Sequence, residues 1–221
     1  MAARNYGQYC GVAAALGLVG ERWALLIVRD LLVGPRRYSD LKQGLPRIPT
    51  NILSTRLKEL HASGVVRRLP LAHGLAYDLT DYGRGLNEVI FALGRWGFQA
   101  MGEPDDGDVI TADSVTIALR TAFIANAAGG LPATVYEAHL DDFTLTLRVD
   151  GTGVSVTRGT AGAPDIAFTA GPGIHRLISG ELSPAASLDE GVVRVLHGDP
   201  ALLVRFAQTF HLEPMVVAFD A

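Results

Sequence analysis

The chain has 221 residues, 48% of them apolar and 19% charged, with a net charge of −4. That length makes one large domain or two small ones and buries a core without a metal or disulfide staple; the composition excludes a disordered chain. No apolar run approaches the ~18 residues of a membrane span, the first residues lack the apolar core of a secretory signal, and one cysteine excludes an internal disulfide and a cysteine-rich zinc site, so the expected compartment is the cytoplasm.

The charge is unevenly placed. Residues 1–103 carry 13 Arg and Lys against 8 Asp and Glu, a net +5, whereas residues 104–221 carry 6 against 15, a net −9. Residues 102–108, Gly-Glu-Pro-Asp-Asp-Gly-Asp, are acidic and helix-breaking and read as an exposed linker. The expected organisation is a domain over 1–102, a linker over 103–111 and a second domain over 112–221. The basic half suits a polyanion, which the acidic half repels.

In chain order, residues 8–19 predict a helix with Val12, Leu16 and Val19 at helical spacing, stopped by Gly20. Residues 21–33 predict a second, carrying Trp23, Leu26, Ile27 and Leu31 and ended by Gly34-Pro35. Ser39 caps a short third helix, with Leu41 and Leu45 facing in. The fourth opens near Pro49 and sets Leu53, Leu57 and Leu60 on one face at i, i+4, i+7. Asn51, Thr55 and Lys58 fall on the opposite face, with Ser54 at its flank, and Gly64 ends the helix. Residues 65–68 and 75–79 are strands around a tip at 70–74, a β-hairpin. Thr80 caps a last helix over 81–101, with Leu86, Val89, Leu93 and Trp96 in one stripe.

Three helices followed by a hairpin make the winged form of helix-turn-helix, mostly α with a β-hairpin wing, whose second motif helix enters the major groove. The short polar side chains of Asn51, Ser54, Thr55 and Lys58 reach base edges without steric bulk. Arg36, Arg37, Lys42, Arg67 and Arg68 lie just outside and neutralise phosphates, and His73 is the one cation candidate at the tip. The competing reading is a winged helix that binds protein, since fold does not fix function.

Residues 10–98 resemble the HxlR-type branch of winged-helix bacterial transcriptional regulators, relatives of the MarR type. The matching blocks are Cys10, Leu18-Val19-Gly20-Glu21-Arg22-Trp23-Ala24-Leu25-Leu26-Ile27, Gly34-Pro35-Arg36-Arg37-Tyr38-Ser39-Asp40-Leu41, Leu53-Ser54-Thr55-Arg56-Leu57-Lys58-Glu59-Leu60, Gly64-Val65-Val66-Arg67-Arg68, Tyr77-Asp78-Leu79-Thr80-Asp81-Tyr82-Gly83 and Trp96. The sequence departs from the family at Ile48-Pro49-Thr50, where a polar cap is usual, and in the wing, which lacks the usual Pro and Glu. The resemblance implies double-stranded DNA as partner and a homodimer through the terminal helices; Ser39, Thr50 and Arg56 are further candidates for the DNA surface. A dimer also has a physical motive, because two copies read two half-sites about one helical turn (~34 Å) apart, a pseudo-palindromic operator. A lone thiol is more often a small buried hydrophobe than a sensor. Cys10 matches the N-terminal cysteine of those HxlR-type regulators that respond to oxidants, which makes it a redox candidate by resemblance.

The second half predicts a helix over 112–128 with Leu119, Phe123 and Ala127 on one stripe, then strands over 134–140, 143–149, Val154 to Val156, Ile166 to Phe168 and 192–197. In the second strand Phe143, Leu145, Leu147 and Val149 point inward and Thr144, Thr146 and Arg148 outward. Residues 172–179 are helical, and Asp199 caps a final helix with Leu203, Phe206 and Phe210. The expected fold is α+β, an antiparallel sheet of about five strands with helices on one face. Pro164-Asp165-Ile166-Ala167-Phe168-Thr169, the Gly180-Glu181-Leu182-Ser183-Pro184 turn and Gly198-Asp199 resemble sterol carrier protein type-2-like domains over roughly 134–212. That resemblance implies a tunnel for an apolar molecule; Phe123, Phe143, Leu177, Phe206 and Phe210 are the candidates for its wall. The residues alone leave pocket and solid core as equal alternatives.

No Gly-x-Ser-x-Gly, phosphate loop or dinucleotide fingerprint occurs, no two histidines stand at i, i+4, and Asp141-Asp142 sits at a turn, so no enzyme activity, cofactor or metal is expected. The reading is a dimeric transcriptional regulator modulated by a small hydrophobic or aromatic effector in the second domain. The alternatives are a redox-responsive or constitutive repressor whose second domain only supports dimerisation, and an apolar-ligand carrier or enzyme with a vestigial winged helix.

Overall fold

The structure, a computed structural model, describes residues 6–151, 153–171 and 173–213, so the chain ends and Thr152 of the Gly-Thr-Gly turn lie outside the described residues. The chain divides into two compact units, one up to Ile90 and the other from Phe91. Among the described residues no single helix is long and apolar enough to cross a membrane.

The first unit holds α1 (Gly11–Val19), α2 (Ala24–Val33), β1 (Arg36–Arg37), α3 (Tyr38–Gly44), α4 (Thr50–Ala62), the hairpin β2 (Val66–Leu71) and β3 (Gly74–Leu79), and α5 (Asp81–Arg84). This is the expected winged helix. Its core is the inward stripe of each helix: Ile27, Val28 and Leu31 of α2, Leu41 of α3, and Leu53, Leu57 and Leu60 of α4 are buried, closed by Val66 and Leu79 of the hairpin. Burying each such side chain contributes roughly 1.5–3 kcal/mol.

Several boundaries differ from expectation. The second helix starts at Ala24, because Trp23 takes a left-handed φ of 80° that a helix cannot contain. Ser39 is not the cap of α3: the Asp40 carboxylate accepts from the Arg37 N–H at 2.8 Å, one residue pair that closes the turn instead. Arg36 and Arg37 form a short third strand against Tyr77 and Ala76 of β3. The helix expected over 81–101 is two helices, α5 and α6 (Asn87–Phe98), with the break at Gly85 and Leu86. Thr80 does cap the first of them, accepting from the Gly83 N–H at 3.0 Å.

The second unit holds α7 (Ala112–Ala122), α8 (Ala125–Ala128), β4 (Thr134–Leu140), β5 (Phe143–Asp150), β6 (Gly153–Arg158), β7 (Ile166–Ala170), α9 (Ile174–Ile178), α10 (Pro184–Asp189), β8 (Val193–Gly198) and α11 (Leu202–Thr209). The helix expected over 112–128 ends at Ala122. Phe123 is extended there and bridges Phe210. Asp199 caps the turn ahead of α11, accepting from the Ala201 N–H at 2.9 Å. The sheet has five strands in the order β6-β5-β4-β7-β8, and it is mixed rather than antiparallel throughout, because β4 and β7 run parallel. The cause is the connection over 159–165, which leaves edge strand β6, crosses β5 and β4, and enters β7 in the direction of β4. One face of the sheet carries Tyr136, Ala138, Leu145, Leu147, Val149 and Phe168 into a core with Leu119 of α7, Leu177 of α9 and Phe206 of α11. On the other face the crossing segment covers Glu137 and Thr146, which is why the outward-reading Thr146 is buried.

Candidate nucleic-acid interface

Helix α4 is built to show one face. Its three leucines are buried, while Thr50, Asn51 and Lys58 are exposed and Ser54 and Thr55 are partly exposed. Pro49 precedes the first turn with extended backbone, and Tyr38 of α3 pins that turn: its hydroxyl donates to the Thr50 carbonyl at 2.8 Å and accepts from Ser54 Oγ at 3.3 Å. Thr55 Oγ1 donates back to the Asn51 carbonyl at 2.9 Å. Thus Asn51 and Lys58 present their side chains outward, whereas Ser54 and Thr55 also satisfy local hydroxyl bonds.

The basic side chains divide by partner. Lys58 and Arg68 are exposed, with no side-chain hydrogen bond or ion pair among the described residues. Lys42 Nζ donates to the Pro46 carbonyl and Arg37 Nη1 to the His73 carbonyl, both at 2.8 Å, so these two bonds go to carbonyls and not to carboxylates. The second bond ties the hairpin tip, where His73 is exposed, to the start of α3. Arg36 Nη1 donates to the Pro35 carbonyl at 3.0 Å, and Ser39 is exposed beside it. Arg56 and Arg67 are paired with carboxylates of their own unit. Arg56 pairs with Glu21 at 3.0 Å and with Glu59, its side chain only 13% exposed, which fastens α4 to the loop before α2. Arg67 pairs with Asp78 at 2.6 Å, and Arg84 takes the other oxygen of that carboxylate at 2.8 Å.

Tyr38, Asp78 and Arg84 were not singled out by sequence reasoning. A signal existed for Asp78, a carboxylate within an apolar strand; that it stands directly opposite Arg67 comes from the register of the folded hairpin.

In the second unit Phe123, Phe206 and Phe210 come together, with ring centroids 5.9 Å apart for Phe123–Phe210 and 4.8 Å for Phe206–Phe210. Tyr136 and Phe168 each meet Phe206 edge-on at 5.5 Å. Leu177, Phe206 and Phe210 are fully buried in this cluster, while Phe143 packs at its margin, partly exposed. Burial raises the Tyr136 hydroxyl above its ordinary range. Cys10 is exposed at the N-terminus of α1, where the backbone N–H groups of Ala13 and Val12 favour the thiolate and lower its pKa. Among the described residues no three His, Cys, Asp or Glu side chains converge as a metal site.

The HxlR-like helix-turn-helix profile matches residues 18–105. The HTH-type transcriptional regulator YvaP of Bacillus subtilis is 36% identical over 85 residues, 37% of this chain and 79% of that protein. YodB of the same organism is 34% identical over 96 residues, 42% of this chain and 85% of that protein. A crystal structure of quinone-bound YodB is 33% identical with a TM-score of 0.36, covering 40% of this chain and 96% of that one. The profile match spans the winged helix with its exposed α4, and the chain belongs to the HxlR-like helix-turn-helix family of transcriptional regulators.

Proposed function

We propose that the chain binds double-stranded DNA as a homodimer, with α4 in the major groove of each half of a pseudo-palindromic operator. The observation that carries this reading is the division of α4 into a buried leucine face and an outward Asn51–Lys58 face, flanked by Lys42 and Arg68. Asn51 offers the amide that pairs with adenine, and the cations meet phosphates. The exposed stripe of α6, with Val89 45%, Leu93 43% and Trp96 70% accessible, supplies apolar surface for a partner copy. The second unit acts as the regulatory half: a small molecule bound there shifts DNA affinity by preferring one state of the dimer. The test is fluorescence anisotropy on DNA flanking its own gene. Lys58→Ala should weaken binding about 5- to 30-fold, as expected for one contact of about 1–2 kcal/mol, with the thermal transition unchanged. Unchanged affinity would remove α4 as the reading helix.

Cys10 supports a second reading, redox control of the same DNA binding, because its thiol is both exposed and biased toward thiolate. The same titration after mild peroxide separates the two: affinity lost in the native protein and retained in Cys10→Ser favours redox control.

A further inference from the structure

The effector reading leaves open where a ligand enters the second unit, and the aromatic cluster there is already filled by its own rings. A groove of about 450 Å³ lies elsewhere, lined by His139, Leu140, Asp141, Thr169 to Gly171, Gly173 and Glu190 to Val192. Its position follows from the topology. β4 and β7 run parallel, so their carboxyl ends, His139–Leu140 and Thr169–Ala170, finish side by side, and β8 starts next to them. The two chains then diverge, one into the turn at Asp141 and the other toward α9, which leaves a crevice between them. Open sheets bind ligands outside the carboxyl ends of parallel strands for the same reason. The volume falls in the range of small-molecule sites.

The groove's chemistry selects its occupant. His139 has both ring nitrogens engaged: Nε2 lies 2.8 Å from Glu137 Oε1, and Nδ1 lies 3.3 Å from Thr144 Oγ1. Glu137 is itself buried and accepts from the Ala161 N–H at 2.6 Å, so the imidazole is held in place from behind. What remains toward the groove is acceptor-rich. Asp141 is exposed at the rim, and Glu190, half exposed, also lines the groove and pairs with Arg176 at 3.3 Å. Carboxylates donate nothing at neutral pH, so a ligand rich in N–H donors is favoured. The surrounding half of the chain carries −9, which draws cations and repels anions. Leu140, Ala170 and Val192 supply an apolar wall for the rest of the molecule. Arg194 stands opposite Thr169 on β8, in the same row of the sheet as His139, and is the cation a carboxyl-bearing ligand would seek instead.

We infer that this groove binds a small amphipathic cation, an ammonium joined to an apolar or aromatic body, between Asp141, Glu190 and His139. The inference rests on the reading of the second unit as the regulatory half, and it names the chemistry and place of that ligand. The probe is phenethylammonium, titrated into the full chain by calorimetry beside phenethyl alcohol and phenylacetate. The imidazole resonance of His139, assigned by its loss in His139→Gln, is followed in parallel. The expected result is saturable one-to-one binding of the amine with a shift of the His139 resonance. The alcohol and the acid should bind at least tenfold more weakly, and Asp141→Asn with Glu190→Gln should weaken the amine about tenfold. Equal binding of the three probes, no His139 shift up to millimolar amine, or binding that survives the double substitution would overturn the site. No DNA is present in this titration, so its outcome is independent of the α4 test. A bound amine that leaves DNA affinity unchanged would keep the site and remove only its regulatory role.

Discussion

Asp78 shows how one side chain redirects its neighbours. Its side chain is 2% exposed, and its two oxygens hold Arg67 and Arg84, whose side chains are 52% and 44% exposed. A buried carboxylate is tolerated because both oxygens are met by guanidinium groups that stay half solvated. Arg67 and Arg68 are adjacent in sequence yet differ in role: one ties β2 to Asp78 of β3, the other has only solvent to face. Asp78→Asn should therefore destabilise the protein by about 1–3 kcal/mol, less than a fully buried pair because the arginines remain hydrated. In urea unfolding, Arg67→Ala should lose part of that stability and Arg68→Ala none. Equal loss for both arginines would show that the Asp78 pairing does not hold in solution. The sequence marked both arginines as phosphate partners because charge is visible in a sequence and strand register is not.

At the level of elements, what could be read depended on whether a segment repeats. α4 was legible because Leu53, Leu57 and Leu60 recur at helical spacing, and all three are buried. β5 was legible through its alternation of Leu145, Leu147 and Val149 with polar residues. β1 was not, since two arginines carry no alternation, and the parallel direction of β7 leaves no trace in its side chains. α5 lies close against the entry to the hairpin: a Cβ on Gly83 would meet the Val65 carbonyl oxygen at 2.1 Å, so only glycine fits there. α6 then exposes Val89, Leu93 and Trp96 along one side. If that stripe is the dimer face, Leu93→Glu with Trp96→Glu should turn a dimer into a monomer in sedimentation velocity at micromolar concentration. The loss of burial is worth about 1.5–3 kcal/mol for each side chain. A native protein that already sediments as a monomer would move the dimer face off α6.

Across the molecule, the net −4 conceals a basic half and an acidic half, and under the proposed function DNA affinity depends on how many cations of the first reach phosphate. Arg56 and Arg67 are paired with carboxylates, whereas the side chains of Arg37, Lys42, Lys58 and Arg68 have no carboxylate partner among the described residues. If those four meet phosphate in each protomer, a bound dimer displaces counterions at eight places. The plot of log affinity against log salt should then have a slope of about −7, and a bound monomer about −3.5. Arg68→Ala in the dimer removes two contacts and should bring the slope to about −5.5, while Arg56→Ala should lower stability and leave the slope close to the native value. Measured between 50 and 250 mM salt, a shallow slope that no substitution alters would mean that binding does not run through this surface. A steep slope that responds to Arg56 but not to Arg68 would mean that the ion pairs at Glu21 and Glu59 open on DNA, and that the static arrangement of α4 is the unbound one.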